Sequence, residues 1–176
     1  MTYWHVRWDY FSCRQAYHLG NRPLRSDYFQ DSFDPDRLKL FFDPEDDRAA
    51  CDFPYLDAGV FLATSRAAVP MMDRFSRSCR VYAISVQEVP FHVFICHHVM
   101  PGFNWERSDC ERFKSSGRIS RVKRFALQPG FTSDRDVFRL EGDSAISYQV
   151  LTSDSFKRDY ELNALTGLIF LPVISS

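Results

Sequence analysis

The chain has 176 residues, 45% of them apolar and 17 of them Phe, with a formal net charge of −1. That length fits one domain, since roughly 150 residues already bury a self-sufficient core, and the apolar fraction excludes general disorder. The near-neutral charge gives no bulk attraction to nucleic acid or an acidic membrane, and no apolar run approaches the ~18 residues that span a bilayer.

The opening MTYWHVRWDYF lacks a basic stretch followed by a continuous apolar one, so no secretory signal is expected. Trp4, Val6, Trp8 and Tyr10 alternate with His5, Arg7 and Asp9, which predicts a strand with one buried, aromatic-rich face. Gly20, Asn21 and Pro23 mark a loop, and Leu38, Leu40 and Phe42, alternating with Lys39 and Asp43, give a short second strand. DPEDDRAACD (43–52) reads as a solvated loop or a short helical turn. GVFLAT (59–64) is the next strand, followed by Ser65 as an N-cap and a helix burying Ala68, Met72 and Phe75. Pro70 cannot donate inside a helix, so the helix start is expected nearer Pro70.

Strands are further expected over 80–86, 91–99, 118–127 and 137–140, with Met100, Pro101 and Gly102 ending the second of these. The last portion predicts a strand over 147–151, Ser153 as N-cap, and a helix with Phe156 and Tyr160 spaced i, i+4. Gly167 suits the left-handed residue after that helix. A final strand covers 168–173, with Pro172 placing it towards an edge or marking its end. TSRAAVPMMDRFSRSCRVYAISV (64–86) and TSDSFKRDYELNALTGLIFLPV (152–173) therefore share one pattern. The expected fold is a single α+β domain over 1–176, a mixed sheet with two similar strand-helix-strand units at about 58–86 and 146–173.

VFLATS (60–65), VYAISV (81–86), VFRL (137–140), VLTSDSFK (150–157) and LTGLIFLPV (165–173) occur in an order that resembles one class of immunity proteins from bacterial polymorphic toxin systems. In that class an apolar strand leads into Val-Ser or Thr-Ser, a helix, and a closing strand ending in aromatic-x-Pro-Val. The first copy departs from the pattern, with Pro70 in its helix and Ile-Ser-Val at its end. The resemblance implies a small cytoplasmic protein that binds and neutralises a cognate secreted toxin, without enzymatic activity, cofactor or membrane.

Five cysteines, Cys13, Cys51, Cys79, Cys96 and Cys110, with no C-x-x-C pair, are expected as reduced thiols in the cytoplasm. On a strand His92, Cys96 and His98 share a face, which opens an alternative as a small Cys/His hydrolase or metal-dependent enzyme. No second ligand cluster or orienting group is evident, so neither a catalytic nor a metal residue is assigned.

Charge is segregated along the chain. Residues 31–52 carry eight acids against three bases, a net −5, and residues 107–124 carry seven bases against two acids, a net +5. The acidic stretch can steer a basic partner such as a nuclease toxin. The basic stretch, Arg112 to Arg124, supports a nucleic-acid-binding alternative, but its aromatics are too few and irregular for a stacking platform. The expected partner-binding residues are therefore Asp43, Glu45, Asp46 and Asp47, with Phe103 and Trp105 as loop-borne aromatic anchors. The expected partner is the toxin protein, with no nucleic acid.

Overall fold

Apolar runs supply most of the strands in the computed structural model, which describes residues 2–175. The elements are β1 (Tyr3–Trp8), β2 (Ala16–His18), β3 (Leu40–Phe42), β4 (Val60–Thr64), α1 (Ser65–Ser76), β5 (Cys79–Val86), β6 (Val89–Cys96), β7 (Val99–Met100), β8 (Asp109–Arg112), β9 (Ile119–Arg124), β10 (Val137–Leu140), α2 (Ser144–Ser147), β11 (Val150–Ser153), α3 (Asp154–Leu162) and β12 (Leu168–Pro172). Short 3-10 turns cover Arg25–Phe29 and Pro35–Arg37. The class is α+β.

The larger sheet is mixed, in the order β12-β1-β11-β10-β7, with only β10 and β7 parallel. β12 is an edge strand, where the missing N–H of Pro172 is tolerated. A three-stranded sheet, β4-β6-β5, is antiparallel throughout, and β2-β3 and β8-β9 form separate pairs.

Three clusters fill the layers. One joins both main sheets to the helices, with Val6, Trp8 and Val150 facing Phe61, Phe94, Phe75 and Phe156. A second lies on the other face of the larger sheet, where Tyr3, Phe138 and Leu151 meet Ile119, Val122 and Phe125. A third covers the outer face of the smaller sheet with Tyr28, Leu38 and Leu40.

This layering corrects the reading of β1. Tyr3 and His5 are buried as well as Val6 and Trp8, because β8 and β9 fold over the face expected to meet water.

α1 starts earlier than expected. Its N-cap is Thr64, not Ser65, with Thr64 Oγ1 accepting from the Ala67 amide at 3.3 Å. The helix runs through Pro70 and buries Ala67, Ala68, Met71 and Phe75, while Met72 is only partly covered. An interior proline costs about 3 kcal/mol. Met71 and Phe75, at roughly 1.5–3 kcal/mol each, outweigh it, and Pro70 opposes the exposed Arg66, whose carbonyl water can satisfy. α3 follows expectation: Ser153 Oγ accepts from the Phe156 amide at 3.1 Å, and Phe156 and Tyr160 are buried.

Gly167 has a different role from the one expected. The left-handed residue after α3 is Ala164, at φ 50°. Gly167 sits at φ 104°, and a Cβ there would lie 2.5 Å from the Phe53 carbonyl oxygen. The expected strand over 147–151 begins at Val150, because Asp143 caps α2 and holds Ser147 in that turn. The run expected over 91–99 begins at Val89 and is divided between β6 and β7.

Candidate functional site

The acidic loop is built on cross-links. Cys13 and Cys51 form a disulfide, which corrects the expectation of five reduced thiols. Arg48 pairs with Asp46 at 2.6 Å and donates from Nη1 to the Tyr10 carbonyl at 2.5 Å. The Ala49 amide donates to the Ser12 carbonyl at 3.0 Å, and the Arg14 amide to the Ala49 carbonyl at 2.9 Å. Residues 9–14 and 46–51 are thus sewn together.

Within this frame Asp9 caps a tight turn, its Oδ1 accepting from the amides of Phe11 at 3.3 Å and Ser12 at 3.1 Å. Hydrogen bonds from Ser12 hold the Asp9 carboxyl below its usual range. The turn points Phe11 outward, leaving it 92% exposed on a fixed backbone. Tyr17 is also exposed, its ring 5.8 Å from that of Phe41 across the β2–β3 pair. Sequence periodicity did not mark Phe11. The available signal was Asp9 two residues before it, a residue type that caps such turns.

Beside the loop lies an apolar hollow of about 170 Å³, lined in part by Phe42, Cys51, Val86, Val89 and Phe91. Phe42 and Cys51 bracket the acidic residues in sequence. The β5–β6 turn at the rim places Gln87 and Glu88 at φ 50° and 68°. Neither residue is Gly or Asn, so the turn holds strain of about 1–3 kcal/mol per residue, of the kind that clusters at functional surfaces. Gln87 ties the turn to the Phe42 backbone in both directions, at 3.1 and 3.3 Å.

The expected site residues have unequal fates. Glu45 and Asp47 are exposed, and Asp43 is half-buried, its Oδ1 accepting from the Glu45 amide at 2.9 Å. Asp46 is held by Arg48, which lowers its carboxyl to about 2. Phe103 is buried in the second cluster, its ring 5.8 Å from that of Phe125, and Trp105 packs on it with half its surface exposed. Among the described residues no hydrogen bond, ion pair or ring contact joins this aromatic pair to the acidic loop.

Not all the counted acids face solvent as free charge. Asp52 is buried, and its carboxylate accepts from Arg66 at 2.6 Å, from the Thr166 amide at 3.0 Å and from Thr166 Oγ1 at 2.9 Å. Thr64 Oγ1 donates to it as well, at 3.3 Å. Thr64 of VFLATS and Thr166 of LTGLIFLPV therefore converge on one aspartate, a structural clamp.

The Cys/His stretch is arranged differently from a dyad. The Cys96 thiol meets the His98 backbone carbonyl at 3.8 Å and lies opposite Cys79 across β5 and β6. Burial pushes the Cys79 thiol well up. Burial also opposes ionisation of Cys96, but the hydrogen bond from Cys79 and the buried Arg139 outweigh it and hold Cys96 below a free thiol. Cys96 has no exposed surface. Among the described residues no cluster of three or more His, Cys, Asp or Glu could hold a metal ion, and no helix is long and apolar enough to cross a membrane.

No protein-family model matches the chain, and no curated protein matches it.

Proposed function

We propose that the protein is a stoichiometric inhibitor of the immunity type, which binds a cognate basic toxin and holds it inactive inside the producing cell. The observation that carries this reading is Phe11, 92% exposed on a segment that the Cys13–Cys51 bridge and main-chain hydrogen bonds tie to the stretch following Glu45 and Asp47. Aromatic side chains on a fixed backbone are enriched among interface hot spots, and acids on the same loop accelerate encounter with a basic surface. The recognition surface is preformed and needs no cofactor.

The scaffold reading rests on topology. β4 and β5 flank β6 and are joined through α1, while β11 and β12 flank β1 and are joined through α3. We read these as two versions of one unit, which supports the resemblance to the immunity class. The Cys13–Cys51 bridge removes the thiol count as an argument for the cytoplasm, because disulfides persist in oxidising compartments. The cytoplasmic location rests on the resemblance alone.

The test is co-expression with the product of the adjacent upstream open reading frame. Protection from its toxicity and an equimolar complex on co-purification are expected. Phe11→Ala should weaken that complex by about 30-fold or more, the threshold of a hot spot, with the thermal midpoint unchanged. No protection and no complex would remove the immunity reading; a complex insensitive to Phe11→Ala would move the interface elsewhere.

A further inference from the structure

On the far side of the larger sheet, a cleft of about 360 Å³ opens between β1, β9 and α2. Four cations line it, Arg7, Arg25, Arg121 and Lys123, and no Asp or Glu does. Two of the four are already matched: Arg25 pairs with Asp57 at 3.0 Å, and Lys123 with Glu111 at 2.8 Å. Arg7 and Arg121 have no carboxylate within ion-pair distance among the described residues. Two guanidiniums therefore face one concavity with their mutual repulsion uncompensated. A phosphate monoester, carrying about −1.5 to −2 at neutral pH, offsets that excess, and the guanidinium fork matches its oxygens.

The rest of the cleft is lined by neutral polar and aromatic side chains. His5 and Gln149 contribute a neutral polar surface, joined at 3.1 Å between His5 Nε2 and Gln149 Oε1. His5 is buried and uncharged there, burial lowering it to about 4. Tyr10 and Phe113 line the same cleft, and Phe113 is 56% exposed. The volume lies near the lower end of small-molecule sites, roughly 300–1,000 Å³. Surfaces that hold single-stranded nucleic acid instead offer a run of aromatics along a groove.

We propose that this cleft binds a small phosphate monoester carrying a flat ring, of the nucleoside monophosphate class, with Arg7 and Arg121 on the phosphate and Tyr10 and Phe113 against the ring. The proposal goes beyond the toxin-binding reading and does not rest on it: of the residues that form the loop frame only Tyr10 reaches the cleft, and neither Phe11 nor Glu45 nor Asp47 lines it.

The experiment is calorimetric titration of the full chain at low salt with adenosine monophosphate, adenosine, inorganic phosphate and a single-stranded oligoadenylate. Equimolar, saturable binding of the monophosphate is expected, about tenfold tighter than phosphate alone, which carries no ring to stack. Arg7→Gln and Arg121→Gln should each weaken it about tenfold or more, as for loss of a charge-assisted hydrogen bond. Both side chains lack carboxylate partners, so the thermal midpoints should match the parent's; Phe113→Ala, which weakens the monophosphate but not phosphate, provides a reading if one of them fails to fold. Absence of saturation at millimolar monophosphate, equal binding of adenosine, or binding unchanged in both arginine variants overturns the proposal. Tighter binding of the oligonucleotide, with a salt slope of several phosphates, overturns it in favour of a nucleic-acid groove.

Discussion

The acidic loop and the basic hairpin carry equal and opposite counted charge, yet they hold that charge in different ways. In the acidic stretch Asp46 is bound to Arg48, Asp52 is buried against Arg66, and Asp31 approaches Arg80 at 3.3 Å. Arg66 and Arg80 come from outside the stretch and offset two of its acids. In the hairpin of β8 and β9 the sole ion pair among the described residues is Glu111–Lys123, and no outside carboxylate reaches it. Ile119, Val122 and Phe125 anchor the hairpin, and besides that pair only Arg112, donating to the Gly117 carbonyl at 2.9 Å, uses a charged side chain within it among the described residues. One segment ties three of its acids to cations, and the other presents most of its charges to solvent. Counting charges along a sequence measures the second kind and overstates the first.

The comparison breaks most readily at Asp52. Asp52→Ala removes the acceptor for Arg66, Thr64 and Thr166 at a site 6% exposed, and unpaired buried donors should cost about 2–4 kcal/mol. That is a thermal midpoint lower by roughly 10 °C for a chain of this size. Arg121→Ala on the hairpin should stay within about 0.5 kcal/mol. Urea titrations giving equal costs for the two would erase the distinction.

A smaller effect lies beneath the hairpin. Burial lowers His5 to about 4, with Gln149 opposing and Arg7 assisting. Its folded pKa is below the unfolded ~6.5, so the unfolded chain takes up the proton first. Stability from this group is complete above pH 6.5 and declines as pH falls towards 4, by about 2 kcal/mol at pH 5. Burial also lowers His18 and His97, which act in the same direction. The difference between the parent and His5→Gln across pH 7 to 5 isolates His5, and parallel curves would show that it is not buried as described. Asp9 and Asp154, lowered by local hydrogen bonds, lose their contributions only below the carboxylate range.

What the sequence made legible is local. β4, the Ser153 cap, the Phe156–Tyr160 stripe and the edge position of β12 each depend on residues within a few positions, and spacing or chemistry encodes them. β1 was misread because its second face is covered by residues more than a hundred positions away, and no alternation rule contains that information. The Cys13–Cys51 bridge was missed for a related reason, since cysteine number and spacing do not report proximity across 38 residues. LTG was recognised as a motif but not explained: Thr166 and Gly167 are required by Asp52 and Phe53, on a distant loop. Of the candidate site, the acids were legible as composition, whereas Phe11 became apparent only once Asp9 and Arg48 had fixed its loop.

The sharpest use of the comparison leaves the fold intact. Asp43, Glu45 and Asp47 are free of ion pairs among the described residues, whereas Asp46 anchors Arg48 and through it the Tyr10 carbonyl. Reversal of Glu45 and Asp47 to Lys, with Asp43 retained for its bond to the Glu45 amide and Asp46 for Arg48, should change stability by less than about 0.5 kcal/mol per site. The same variant should bind the upstream gene product about tenfold more slowly at low salt, and the difference should shrink near 0.15 M, where the screening length is about 8 Å. Stopped-flow association rates at two ionic strengths measure this directly. Reversing Arg118, Arg121 and Arg124 to Glu should leave the rate unchanged or raise it. If the hairpin reversals slow association and the loop reversals do not, the partner is acidic, and the exposed charges of the hairpin, not the cross-linked loop, form the steering surface.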